Sequence, residues 1–121
     1  MKFCWTTIIV NDMEDSLRFY EEIVGLNIHE RFQGSPGVEI VFLGSGETKV
    51  ELIHDEKIKD IEFNENICLG FQVESLDNMM DFIKEKGLEI HSGPFEPNPY
   101  IKYFFVQDPN GLKIQFVESG K

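Results

Sequence analysis

The 121-residue chain is two copies of one unit, and this limits its folds more than any other feature. Val10, Met13, Leu17 and Phe19 recur as Val73, Leu76, Met80 and Phe82 at an offset of 63 residues. Gly25-Leu26-Asn27-Ile28-His29 recurs as Gly87-Leu88-Glu89-Ile90-His91 after a one-residue deletion. The ends also match, Val50-Glu51-Leu52-Ile53 against Ile114-Gln115-Phe116-Val117. Duplicated units tend to place equivalent positions around a pseudo-twofold axis. Side chains from both copies are therefore expected to converge on one site.

The copies are too short to fold apart, so a single domain over residues 1–121 is expected. Module 1 spans about residues 1–54, a linker about 55–66, and module 2 about 67–121. A 41% hydrophobic fraction with eleven Phe is that of a globular protein. No apolar run is long enough for a membrane span, and the N-terminus lacks a basic-then-apolar leader pattern. Two cysteines, one per copy, make no disulfide framework and fit a reduced, cytoplasmic setting. The net charge of -11 excludes a nucleic-acid backbone as partner. It either steers cationic ligands or only keeps the protein soluble.

Residues 3–10 are β-branched and aromatic, as in a strand. Asp12 is a good N-cap; Met13, Leu17, Tyr20 and Val24 follow at helical spacing until Gly25 stops the helix. Extended stretches at 27–33, 38–43 and 48–53 are parted by glycine-rich turns. The unit is βαβββ. In the second copy, strands are expected at 67–73, 88–91, 100–107 and 112–118, with a Ser75-capped helix ending at Gly87. Three prolines between Pro94 and Pro99 exclude a central strand there, and this segment is expected to be irregular. Each helix covers one sheet face, so the fold class is α+β. The uncovered face must meet something else, and a concave open sheet suits a small molecule.

Val10-x-Asp12-Met13-x-x-Ser16-Leu17-x-Phe19-Tyr20, Gly25-Leu26, Val50-Glu51-Leu52 and Asp108-Pro109-Asn110-Gly111-x-x-Ile114 stand in order along the chain. Together they closely resemble the glyoxalase/bleomycin-resistance/dioxygenase family, the vicinal oxygen chelate superfamily. The resemblance implies two tandem βαβββ modules forming a curved, cup-like mixed sheet with helices on the outer face, commonly in homodimers. It also implies four metal-ligand positions, which fall here on Trp5, Glu51, Cys68 and Gln115.

Only Glu51 keeps the family's ligand type. Indole nitrogen donates hydrogen bonds and offers no lone pair. Gln115 has a neutral carbonyl oxygen suited to hard cations among many oxygens. Cys68 thiolate suits zinc but pairs badly with a lone glutamine and no imidazole. A divalent ion such as Zn, Ni, Mn or Fe is disfavoured, and no cofactor is expected.

Trp5 is either a stacking platform or a plug in a vacated cavity. Glu51 is a general base pointing into the cup, or is held by a local partner such as Lys49 or Lys113. Cys68 lacks a nearby activating cation in sequence and reads as a buried structural thiol. His29 and His91 share a strand-end role, and His54 begins the linker. Tyr100, Tyr103 and Phe104 include one set lining the cup and one in the core; sequence leaves open which. Ligand-binding candidates are therefore Trp5, Glu51, Cys68, Tyr100, Phe104 and Gln115. The leading expectation is a metal-independent protein that sequesters an aromatic or cationic compound. The alternatives are a divergent lyase, isomerase or dioxygenase using Glu51, or a non-catalytic interaction module.

Overall fold

The computed structural model describes residues 1–120. They form two compact units, residues 1–62 and residues 63–120, referred to as unit 1 and unit 2. The boundary falls within the segment expected to be a linker.

Unit 1 contains β1 (Trp5–Ile9), α1 (Met13–Arg18), β2 (Ile28–Gln33), β3 (Val38–Leu43) and β4 (Lys49–Asp55). Its sheet has the order β1-β4-β3-β2, with β1 parallel to β4 and the other pairs antiparallel. Asp12 caps α1 by accepting from the Asp15 amide at 2.9 Å. Beyond Arg18 the helix widens into a π turn, Phe19–Ile23. There the Val24 amide reaches back five residues to the Phe19 carbonyl. The wide turn lets the adjacent Phe19 and Tyr20 both be buried, their rings packed edge to face at 5.1 Å.

Unit 2 repeats this with β5 (Cys68–Gln72), α2 (Leu76–Glu85), β6 (Ser92–Asn98), β7 (Ile101–Gln107) and β8 (Lys113–Ser119), in the order β5-β8-β7-β6. The Ser75 hydroxyl accepts from the Asn78 amide, and Glu118 of β8 accepts from the Leu76 amide at 2.7 Å. This second bond ties the helix start to the sheet. The Asp108 carboxylate accepts from the Asn110 and Leu112 amides, fixing the turn between β7 and β8. The order and parallel-antiparallel pattern are those of tandem βαβββ modules.

Two expectations change. Residues 88–91 are not a strand; β6 is instead Ser92–Asn98, the proline-bearing segment expected to be irregular. β6 is an edge strand with irregular register, so Pro94 and Pro97 do not have to donate to an outer neighbour. His54 lies within β4 rather than starting the linker, because pairing with β3 continues to Val38 and Asp55.

Strand alternation sets two faces in each unit. Ile8, Val41, Leu43, Val50 and Leu52 form the helix-covered core of unit 1, and Phe104, Val106, Ile114 and Phe116 that of unit 2. Phe104 is 0% exposed and packs on Phe116 at 5.5 Å, which removes it from the ligand-binding candidates. The odd-even count puts its neighbours Tyr103 and Phe105 on the open face instead.

Candidate ligand site

On the open face of unit 1, register places Trp5 opposite Lys49, Thr7 opposite Glu51, and Phe42 opposite Glu51 from the other side. β4 therefore lies between Trp5 on β1 and Phe42 on β3. The two rings nevertheless meet edge to face, with centroids 5.2 Å apart and planes at 67°, so their contact passes over β4. Phe32 of β2 stacks on the far side of Phe42 at 6.3 Å. The result is an aromatic surface running across the sheet. Trp5 keeps 49% of its surface exposed, as a wall open to a ligand and not as a filled plug.

Glu51 stands under this surface, only 9% exposed, and the Thr7 hydroxyl donates to its Oε1. Its partner is thus Thr7, not the lysines considered from sequence. Beside Trp5 and Phe42 opens a groove of about 400 Å³ that Lys2, Cys4, His29 and Lys49 also line, together with Glu30 and Glu47. On the helix side of β2, Arg31 pairs with Glu39 at 2.7 Å and with Glu14 at 3.3 Å. The hydrogen bond that Arg31 donates to Glu39 raises the guanidinium pKa further, so Arg31 is a fixed cation staple outside the groove.

Unit 2 holds the equivalent positions differently. Cys68, expected to be a buried thiol, is instead exposed at the start of β5 and opposite Lys113, and Gly70 is opposite Gln115. A Cβ on Gly70 would stand 3.0 Å from Gln115 Oε1, so the absent side chain makes room for the Gln115 amide. Lys113 Nζ lies 4.3 Å from the Phe105 ring centroid, within a cluster of Phe95, Tyr103 and Phe105. Tyr100 sits past the opposite end of β7 from Cys68, 61% exposed. The structure does not bring it to the Cys68 end of the sheet.

These donors do not fit a catalytic divalent ion. Trp5 has no lone pair to give, which leaves Glu51 as the one carboxylate of the set. Among the described residues, no group of three or more His, Cys, Asp or Glu side chains is gathered to hold a metal.

Sequence reading missed Thr7, Phe32 and Phe42 in unit 1 and Glu65, Phe95 and Phe105 in unit 2, and named Lys49 and Lys113 only as partners for Glu51. The signal was present. Phe32 and Phe42 recur at the repeat offset as Phe95 and Phe105, and Lys49 precedes Glu51 as Lys113 precedes Gln115.

A family model, Glyoxalase/Bleomycin resistance protein/Dioxygenase superfamily, matches residues 2–116. The chain belongs to this superfamily. A probable lactoylglutathione lyase from Synechocystis is 29% identical over 124 residues, covering 94% of this chain and 92% of the relative. Among solved structures, the trypanothione-dependent glyoxalase I of Leishmania major superposes with a TM-score of 0.84 at 22% identity. That match covers 98% of this chain and 86% of the other. TnmS3, an antibiotic-binding protein from Streptomyces, superposes with a TM-score of 0.78 at 18% identity, covering 99% and 97%. One fold thus carries both a glyoxalase and a binding protein, and its function must be argued from the side chains. No helix among the described residues is long and apolar enough to cross a membrane.

Proposed function

We propose that this protein binds an aromatic small molecule without a catalytic metal, using the groove beside Trp5 and Phe42. The observation that carries this reading is the half-exposed Trp5 braced on Phe42, at a position where metal-dependent relatives are expected to hold a ligand. Aromatic stacking contributes about 0.5–1.5 kcal/mol per ring pair beyond the area it buries. A groove of about 400 Å³ is in the range of small-molecule sites. The cationic ligand suggested by the net charge has weaker local support, because Lys2 and Lys49 line the same groove as Glu30 and Glu47. A reduced cytoplasmic setting and a homodimer complete the proposal.

Trp5 is the sole tryptophan, so its indole N–H gives one diagnostic NMR resonance. Titration of chelator-treated protein with a panel of planar aromatic compounds should shift it saturably. Shifts that appear only after a divalent ion is added would overturn the reading.

The relatives named lactoylglutathione lyase favour a second reading, in which Glu51 is the general base of a lyase. Its hydrogen bond from Thr7 would then orient the carboxylate. That reading predicts lyase turnover, abolished by Glu51→Gln.

A further inference from the structure

The two units differ at one place in a way that identifies the charge of the ligand. In unit 2, Glu65 reaches its carboxylate between an imidazole and a lysine, with Oε2 3.2 Å from His91 Nε2 and Oε1 3.8 Å from Lys113 Nζ. Ser92 Oγ lies 3.0 Å from the other ring nitrogen of His91. Lys113 also stands over the Phe105 ring. A carboxylate beside a lysine, an imidazole and an aromatic ring is therefore a stable arrangement in this fold.

Unit 1 has the same receptor without the carboxylate. Lys49 is the equivalent of Lys113, His29 of His91, and Phe42 of Phe105, while Trp5 replaces Cys68. Lys49, His29, Phe42 and Trp5 all line the groove, and β2 is bulged around His29. The position equivalent to Glu65, three residues before the first strand, is Lys2. Among the described residues, no ion pair joins Lys2, Lys49 or His29 to a carboxylate; Lys49 Nζ donates only to the Gly46 carbonyl, at 3.1 Å.

We propose that the groove of unit 1 binds an aromatic monocarboxylate, whose carboxylate takes the place of Glu65 between Lys49 and His29 and whose ring rests on Trp5 and Phe42. This rests on the aromatic-groove reading above and adds the sign of the ligand's charge. Glu30 and Glu47 also line the groove, so one negative charge fits where a polyanion would be repelled. The net charge of -11 slows the approach of any anion. At physiological salt this field is screened within about 8 Å, and the local lysine and imidazole decide the bound state.

The test titrates full-length protein with 2-naphthoate, 2-naphthamide and 2-naphthylmethylammonium, read by the Trp5 indole resonance. Naphthoate should bind about tenfold tighter than the neutral amide, the ratio one charge-assisted contact supplies. Lys49→Met keeps the stem and removes the charge; it should abolish the tenfold preference for naphthoate over the amide. Equal affinities, a preference for the ammonium compound, or equal weakening of acid and amide by Lys49→Met would overturn the proposal while leaving the aromatic groove standing. No shift with any of the three would overturn the aromatic-groove reading as well.

Discussion

In unit 1 a tryptophan opens the first strand and reaches across β4 to Phe42. In unit 2 a cysteine holds that place, and Lys113 reaches to Phe105 instead. The frame beneath is the same: strand order, the register of the pairs that flank β4 and β8, and the lysine and phenylalanine positions repeat. Below each first corner the second pair diverges too. Thr7 donates to Glu51, whereas Gly70 leaves space for the Gln115 amide. The residue opening the first strand therefore sets whether the face carries an aromatic wall, and Glu65 against Lys2 sets whether a carboxylate meets the shared lysine. One copy leaves its aromatic wall exposed, and the other holds its own carboxylate.

The sharpest test of the shared frame is the split between faces. Phe104→Ala removes a fully buried ring and should cost about 3–5 kcal/mol in denaturant titration. Phe105→Ala, on the open face, should cost less than half as much. Equal costs would contradict the face assignment.

Next in size is Trp5→Cys, which gives unit 1 the corner of unit 2. Aromatic ligands should bind about 10- to 100-fold more weakly, as loss of a stacking surface predicts, with little change in stability. Unchanged affinity would place the ligand elsewhere.

Thr7→Val removes the donor to the nearly buried Glu51 carboxylate. A loss of about 1–3 kcal/mol is expected, with Thr7→Ser close to the parent. The smallest effect belongs to Glu65→Gln. Its side chain is 61% exposed, so solvent screening should keep the loss below about 1 kcal/mol by thermal denaturation.

Most of the fold was legible because it rests on local signals. Asp12 and Ser75 cap their helices as their side chains demand, and Gly25 and Gly87 adopt positive φ where the helices stop. The error at β6 came from reading prolines as breakers when the strand's place at an edge excuses them. The site was less legible. Sequence marks Trp5 and Glu51 but not that Trp5 crosses β4 to Phe42, because this contact depends on the order of strands distant in sequence. The parity of Phe104 against Phe105 needed the register of β7 with β8. Glu65 was hidden in an acidic segment where no local pattern singles it out.

The central claim is that Trp5 has turned a metal corner into an aromatic one. Calorimetric titration of chelator-treated protein with Zn²⁺, Ni²⁺, Mn²⁺ and Fe²⁺, alongside metal analysis of the purified chain, tests it most directly. The account predicts no stoichiometric ion and no saturable heat at micromolar protein. One tightly bound ion per chain, lost on Glu51→Gln, would contradict it.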